Sequence, residues 1–257
     1  MSGAAVLCGS AALRGGAGLV QVVSPGEIGP IVAMGNPCYT TAGLNQDMRG
    51  RFAASAVEEI IGLTGPADVV AIGPGIGQSD TMPRLIQGLL ERVGKPVVLD
   101  ADGLNAVVKL APSVWQAREQ PTILTPHPGE FARLSGSSAP EILARREELA
   151  LAFAADRRIV LVLKGHASLV TDGARLYRNT TGNPGMATGG TGDVLTGLIA
   201  ALVGQGLTPF DAAVLGVWAH GRAGDRAASR IGEVSLIASD VLTEIPAALC
   251  EATASSS

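Results

Sequence analysis

Short runs of aliphatic and β-branched residues alternate with helical patterns along this chain, and that alternation most limits its fold. Runs at 19–23, 68–72, 96–99, 122–125 and 159–163 predict buried strands. Strands that alternate with helices form mostly parallel sheets covered on both faces. The fold class is therefore α/β, and 34 glycines with only 3% aromatic residues suit a core of stacked strand–helix units. Helices are predicted at 4–14, 51–63, 80–93, 140–156, 193–204 and 209–229.

The pattern changes after residue 164, where 168–171 and 174–177 flank an Asp-Gly turn and predict a β-hairpin. No long linker or repeat interrupts the chain, so one domain over 1–250 and a disordered tail over 251–257 are predicted. A helix comes first, where a doubly wound domain usually opens with a strand. Either strand one is absent from this chain or the sheet begins at residue 19.

Composition excludes several classes of protein. A net charge of −4 argues against a nucleic-acid partner, and no apolar run approaches the ~20 residues of a membrane span. The apolar start has no basic residue before Arg14, so it does not resemble a signal peptide. The three cysteines are isolated and show no metal spacing, which favours a reducing compartment. A soluble, cytoplasmic protein is expected.

Four glycine-rich or polar segments follow predicted strands, at 73–77, 100–105, 126–130 and 164–168. Ligands of open α/β sheets bind beyond the carboxyl ends of the strands. Each segment alone is weak evidence for a binding site, because glycine after a strand often marks only a turn. Their joint placement predicts a single site at one edge of the sheet.

The segment GGTGD at 189–193 leads directly into a predicted helix. Successive backbone N–H groups of such a loop, with the positive helix end, make an anion-binding nest. Asp193 would repel a bound anion, yet it suits a base that deprotonates a hydroxyl attacking phosphorus. The alternative, that Asp193 only caps the helix, is equally compatible with the spacing. The segment is neither a P-loop nor a Rossmann fingerprint.

Taken together, the motifs resemble those of the ADP/ATP-dependent NAD(P)H-hydrate dehydratases, a branch of the ribokinase-like superfamily. The most specific are TPHPGE and GNPGMATGGTGDVL. The resemblance implies a three-layer α/β/α sandwich and a repair reaction that dehydrates hydrated NADH or NADPH with hydrolysis of ADP or ATP. The matching stretches lie at 3–20, 71–77, 96–107, 122–134, 162–173 and 179–202.

The resemblance also implies roles for individual residues. Asp193 would be the catalytic base that deprotonates the 6-hydroxyl of the hydrated ring. The hydrate would contact Ala4, Gly75, His127 and Asp193. The nucleotide would contact Lys164, Gly165, His166, Ala167, Ser168 and Gly192, and its transferred phosphoryl group would meet the nest Gly189, Gly190, Thr191 and Gly192. Asp102, Asn105, Glu130 and Asn183 would lie near the site without a firm role.

Simpler interpretations stay open for several of these side chains. His127 sits between two prolines and would equally brace a turn, and Lys164 would be a solvated charge at a strand end. Asp102 would cap the helix after Gly103. His166 and His220 would be structural, His220 within an alanine-rich helix.

Cofactors and partners follow from the same resemblance. Mg²⁺ is expected, held by phosphates and water because no residue cluster forms a metal cage. A homotetramer and a separate NAD(P)H-hydrate epimerase are expected. The resemblance implies a further strand before the GAA segment, and a chain without that strand would be expected to lack part of one wall of the hydrate pocket. The rival functions are a ribokinase-like kinase of a small vitamin-precursor alcohol and a non-catalytic nucleotide-binding protein.

Overall fold

A six-stranded sheet with helices on both faces forms the body of the protein. The computed structural model describes residues 1–111 and 113–254. The strand order is β3-β4-β5-β6-β7-β8, with β3 to β6 parallel and the last two strands antiparallel. The α/β class and the mostly parallel sheet are confirmed. The strands of this sheet are β3 (Val70–Ile72), β4 (Val97–Leu99), β5 (Thr122–Leu124), β6 (Val160–Leu163), β7 (Leu169–Thr171) and β8 (Leu176–Arg178).

Twelve helices are assigned within the described residues, together with short 3₁₀ turns at Gly26–Ile28 and Pro184–Met186. None of those helices is both long and apolar enough to cross a membrane. The helices are α1 (Ser2–Arg14), α2 (Gly29–Gly35), α3 (Ala56–Leu63), α4 (Thr81–Arg92), α5 (Ala101–Val107), α6 (Ser113–Ala117), α7 (Pro128–Ser135), α8 (Ala139–Ala144), α9 (Arg146–Arg157), α10 (Thr191–Gly204), α11 (Pro209–Ile231) and α12 (Ala238–Ala254).

The two faces of the sheet bury separate cores because side chains alternate along each strand. In β4, Val97 and Leu99 join the core with α3 to α9, whereas Val98 joins the core with α1, α10, α11 and α12. Strands buried on both faces read as continuous apolar runs, which is why the sequence predicted them well. The arrangement is the three-layer sandwich that was expected.

The predicted hairpin is confirmed as β7–β8. Asp172 Oδ1 accepts the backbone N–H groups of Ala174 and Arg175, which closes the turn. Gly173 has φ +91°, and a Cβ there would lie 2.6 Å from Ala155 Cα, so only glycine fits.

The prediction that the main sheet could begin at residue 19 is wrong. That run forms β1 (Gln21–Pro25), which pairs in parallel with β2 (Thr40–Leu44) in a separate two-stranded sheet. Leu19 is 78% exposed and β1 is buried only toward its end. The run therefore lacks the burial on both faces that a strand of the main sheet has. The main sheet starts with β3.

Several predicted boundaries also need correction. The tail is helical as far as Ala254, because Val241, Ile245 and Ala248 bury one face of α12; residues 255–257 lie outside the described part. The helix predicted at 51–63 starts at Ala56, since Phe52 pairs with Gln46 in an isolated bridge. The helix predicted at 140–156 is divided at Arg145, whose backbone leaves the helical region.

Candidate functional site

The centre of the site is a buried carboxylate at the end of β4. Asp100 is 1% exposed; its Oδ1 accepts a hydrogen bond from Lys164 Nζ at 2.8 Å, and its Oδ2 accepts one from Thr196 Oγ1 at 2.7 Å. Lys164 follows β6 and Thr196 lies on α10, so three elements converge here. A Cβ built on Gly192 would lie 3.2 Å from Lys164 Nζ, which places the start of α10 directly over the pair.

Asp193 lies in the first turn of α10, half-buried beside this pair. Burial, followed by the charge of Asp100, raises the pKa of Asp193 from 3.8 to about 6, while Lys164 and the N-terminal ammonium oppose the rise. The N-cap of α10 is Gly190, and no side chain caps the helix there. Asp193 therefore does not act as the helix cap, and its carboxylate is placed to exchange a proton near neutral pH.

The glycine-rich turn before α10 is shaped by close packing. Gly190 has φ +94°, and a Cβ there would lie 2.6 Å from Leu7 Cδ1 on α1. Thr191 Oγ1 lies 3.0 Å from the carbonyl oxygens of Met186 and Thr188, so this hydroxyl holds its own loop. The first N–H groups of a helix have no partner inside it, and Gly192 at this end of α10 lies against the Lys164–Asp100 pair.

His220 supports the same turn from α11. Its Nε2 lies 2.9 Å from the carbonyl oxygen of Thr191, and burial lowers the pKa of His220 from 6.5 to about 4. The ring is therefore neutral at physiological pH and donates through Nε2. The interpretation of His220 as structural agrees with this contact, but its partner lies in the nest itself.

The segment Lys164–Ser168 forms a strained turn at the end of β6. Gly165 has φ +134° and Ala167 has φ +48°, and Ser168 Oγ donates to Gly165 O at 3.1 Å. Arg146 of α9 donates to the carbonyl oxygens of His166 at 2.7 Å and Leu163 at 3.0 Å. No sequence pattern indicated Arg146, because a single arginine in a charged helix is typical of a surface residue.

Ala4 and Gly75 are brought together at the other side of the site. A Cβ on Gly75, which has φ +69°, would lie 2.9 Å from Ala4 Cβ. Gly77 donates its N–H to Asp102 Oδ2 at 2.9 Å. The N-cap of α5 is Asp100, so Asp102 holds the loop after β3 instead of capping α5.

His127 and Glu130 form a capping box at the start of α7. His127 Nδ1 accepts the N–H groups of Gly129 at 3.0 Å and Glu130 at 3.3 Å, while Glu130 Oε2 accepts the N–H of His127 at 2.8 Å. The turn-bracing role considered for His127 is thus present. Its side chain is still 54% exposed, which leaves a ring face open at the sheet edge.

Two further candidates serve the loops around the centre. Asn105 Oδ1 accepts from Arg133 Nε at 3.1 Å on α7. Asn183 Nδ2 donates to Asp225 Oδ1 at 3.0 Å, and Gly182 N–H donates to Asp225 Oδ2 at 2.9 Å, which ties the loop before the nest to α11. Asp225 was missed from the sequence, since nothing in α11 sets it apart.

Cys8 on α1 is a further ionisable group near the centre. Burial and the charges of Asp193 and Asp100 raise the pKa of its thiol to about 12, so it stays protonated. Over residues 1–111 and 113–254, no group of three or more His, Cys, Asp or Glu side chains is arranged to hold a metal ion.

Comparison with known proteins identifies the family. A family model described as NAD(P)H-hydrate dehydratase matches residues 1–247. The chain belongs to this family. A curated dehydratase relative, the ADP-dependent (S)-NAD(P)H-hydrate dehydratase of Xanthomonas campestris, is 34% identical over 249 residues, covering 96% of this chain and 83% of the relative.

Other curated relatives of this dehydratase family are longer. The bifunctional NAD(P)H-hydrate repair enzyme of Moorella thermoacetica is 43% identical over 248 residues, which cover 96% of this chain and 46% of that protein. The chain spans about half the length of the first curated relatives that it matches.

Solved structures agree with the family assignment. The ADP/ATP-dependent NAD(P)H-hydrate dehydratase of Bacillus subtilis, co-crystallised with ATP and Mg²⁺, has a TM-score of 0.83 at 29% identity and covers 98% of this chain and 87% of its own. A ribokinase-like superfamily protein of Enterococcus faecalis has a TM-score of 0.81 at 24% identity and covers 97% of this chain and 82% of its own. The fold is therefore ribokinase-like, as predicted.

Proposed function

We propose that this chain dehydrates the hydrates of NADH and NADPH, with ADP or ATP as the phosphoryl donor. The observation that carries the proposal is the position of Asp193. Its half-buried carboxylate has a raised pKa and lies in the first turn of α10, beside Lys164. A base and an anion-stabilising nest in one place suit transfer of a phosphoryl group to a hydroxyl. The relatives named above carry dehydratase names, which supports this choice of substrate.

In the first step, Asp193 takes the proton of the 6-hydroxyl of the hydrated ring. The hydroxyl oxygen then forms a bond to the terminal phosphorus of the nucleotide, and the bond from that phosphorus to the bridging oxygen breaks. ADP leaves as AMP, or ATP as ADP. A base with a pKa of about 6 is ionised at neutral pH and still basic enough to accept the proton.

The nest Gly189–Gly192 and Lys164 stabilise the phosphoryl group during transfer. The N–H groups at the start of α10 would point at the position of charge development, with the positive helix end behind them. Asp100 fixes the Lys164 ammonium, so the cation is held in place before the substrates bind. Preorganised charge of this kind costs no reorganisation during the reaction.

The second step is elimination of phosphate. Hydroxide is a poor leaving group, and phosphorylation replaces it with a good one. The lone pair of the ring nitrogen expels inorganic phosphate from C6, and transfer of the C5 proton to solvent water restores the ring double bond. The products are the dihydronicotinamide dinucleotide, phosphate and the shortened nucleotide.

The remaining predicted contacts keep their places in this proposal. The hydrated ring would lie near Asp193, with Ala4 and Gly75 as a close-approach surface and His127 at the rim. The nucleotide would lie along Lys164–Ser168 and Gly192, where Gly165 and Ala167 both have positive φ.

Magnesium belongs to the proposal as a substrate-bound ion. The described residues offer no carboxylate cage, which fits an ion held by the phosphates of the nucleotide and by water. Its chemistry would be neutralisation of phosphate charge. The homotetramer, the separate epimerase and the cytoplasmic location stay predictions.

Product analysis tests the proposal against its rivals. The protein is incubated with NADH hydrate and ADP, or ATP, and the phosphorus-containing products are followed by NMR. Dehydration releases phosphate in equal amount to the NADH formed. A stable phosphate ester would indicate a kinase, and unchanged nucleotide with measurable binding would indicate a non-catalytic protein.

A further inference from the structure

An open, positively charged cleft adjoins the site on the side of α4 and α5. It has a volume of about 510 Å³, and its lining comprises three cations, two carboxylates and three neutral polar residues: Arg49, Arg51, Lys109, Asp47, Asp80, Gln78, Ser79 and Thr81. We call it the cationic cleft. None of its lining residues takes part in the chemistry proposed above.

The cationic cleft continues toward the proposed ring-binding position. A narrower groove shares Gln78, Ser79 and Lys109 with it and has Asp102 and Asn105 as its other wall. Asp102 holds Gly77 of the loop after β3, so the groove leads directly to that loop. The seven-residue helix α5 is about 10 Å long at 1.5 Å per residue, which is comparable to the reach from a nicotinamide ring to the phosphates beyond its ribose.

The polar groups of the cationic cleft are not used up by the protein itself. Arg49 and Lys109 are exposed, and their side chains make no hydrogen bond within the described part of the chain. Ser79 Oγ is buried and has no hydrogen-bond partner among the residues described. A buried hydroxyl without a partner is costly unless a ligand or water completes it.

The charges favour an anion. Three cationic side chains face two carboxylates, and one of these, Asp47, accepts the backbone N–H groups of Arg49 and Arg51 at 2.8 and 3.0 Å. Arg51 donates to the carbonyl oxygen of Gln78, which fixes the arginine against the loop. Asp80 lies at the N-cap of α4 and is the remaining opposing charge.

We propose that the cationic cleft binds a phosphate group of the dinucleotide substrate whose nicotinamide end lies toward Asp102. The inference rests on the proposed function, because that function supplies a dinucleotide. Guanidinium, ammonium and hydroxyl donors in one cleft match the acceptor oxygens of a phosphate. The phosphate belongs either to the pyrophosphate, present in both dinucleotides, or to the 2′-phosphate of the NADPH form alone.

Binding of unmodified NADH and NADPH tests the cationic cleft without turnover. The protein is saturated with ADP to fill the nucleotide position, and dinucleotide affinity is measured by calorimetry at low ionic strength. The variant Arg49→Gln/Lys109→Gln removes the two charges that make no hydrogen bond within the protein. Arg14→Gln, at the exposed end of α1, is the matched control, and Ser79→Ala removes the unpartnered hydroxyl.

The double variant is expected to bind about tenfold more weakly, with smaller losses for Ser79→Ala and none for the control. Equal losses for both dinucleotides indicate the pyrophosphate, whereas a loss for NADPH alone indicates the 2′-phosphate. Unchanged affinity in the double variant, or no binding to the wild type, overturns the proposal.

Kinetics separate this inference from the proposed function. If the wild type dehydrates the hydrates, the double variant should raise KM for the hydrate about tenfold and leave kcat unchanged. Dehydration with an unaltered KM in the double variant would refute phosphate binding in the cationic cleft but leave the proposed function intact. If the wild type dehydrates neither hydrate but the double variant binds the dinucleotides more weakly, phosphate binding in the cationic cleft would stand and the proposed function would be refuted.

Discussion

Lys164 Nζ lies 2.8 Å from Asp100 Oδ1, and this pair joins the end of β6 to the end of β4 beneath the start of α10. The carboxylate side chain is 2% exposed and the lysine side chain 19%. A buried pair of this kind fixes the position of its cation, and loss of one partner leaves the other uncompensated. The pair also sets the electrostatic surroundings of Asp193.

Asp100→Asn should shift the pH dependence of dehydration. Asp193 must be ionised to act as a base, so kcat/KM of the wild type should rise with pH through about 6. The Asp100 charge raises the pKa of Asp193, and its removal should move this acidic limb to lower pH. A pH–rate profile of both proteins measures the shift, and circular dichroism controls for folding. An acidic limb that stays in place would show that Asp100 does not act on Asp193.

Asp193→Asn should stabilise the protein above pH 6. The pKa of Asp193 is raised on folding, so the ionised form is disfavoured in the native state and stability is lost as pH rises through about 6. The neutral amide removes that loss. The melting temperature of the variant should exceed that of the wild type at pH 8 and converge with it below the ordinary value of 3.8. A lower melting temperature for Asp193→Asn than for the wild type at pH 8 would contradict a raised pKa of Asp193 in the native state.

His220→Gln should remove a component of acid sensitivity. The pKa of His220 is lowered from 6.5 to about 4, so the unfolded chain binds a proton that the native state refuses. Wild-type stability should therefore fall as pH drops from 6.5 toward 4, and the variant should lack this component. His220→Leu is the matched control, because leucine also lacks the titrating ring but cannot donate a hydrogen bond to Thr191 O. Its free energy of unfolding should be about 1 kcal/mol lower than that of His220→Gln. Equal slopes in urea-melt stability against pH for wild type and His220→Gln would exclude the effect.

Gly73→Ala should be severely destabilising. Gly73 has φ +129°, and a Cβ there would lie 1.7 Å from Asp100 O, where no rearrangement of a side chain relieves the clash. The change should cost more than about 3 kcal/mol, since it combines strain with displacement of packed backbone. Gly94→Ala is the control, because a Cβ at Gly94 meets nothing within 4 Å and should leave thermal stability nearly unchanged. Similar melting temperatures for the two variants would show that the loop after β3 yields easily.

The sequence predicted most of the sheet. Buried parallel strands such as β4 and β6 are recognisable in the sequence as apolar runs. Parallel strands also bring the loops that follow them to one edge of the sheet. The loops at 73–77, 100–105, 126–130 and 164–168 were therefore expected at one edge of the sheet, whereas Asp193 was placed beside Lys164 only through the family resemblance. The strand at 19–23 was misplaced because an apolar run gives no information about its pairing partner, here β2.

The supporting residues were not predictable in the same way. Asp100 was one of two aspartates in a short loop, and only the geometry shows that Asp100 binds Lys164 whereas Asp102 binds Gly77. Arg146 and Asp225 lie on helices and reach loops distant in sequence. Contacts across such separations depend on the packing of the finished fold, which local patterns do not encode.

The most direct measurement is recovery of the dihydronicotinamide absorbance band when the protein, magnesium and ADP or ATP are mixed with NADH hydrate. Recovery is expected in the wild type only when a nucleotide is present. In folded Asp193→Asn the rate should be lower by ~10²–10⁴, since that variant retains the shape of the site without its base. Recovery at the wild-type rate in Asp193→Asn, or no recovery in the wild type with either nucleotide, would refute Asp193-dependent dehydration.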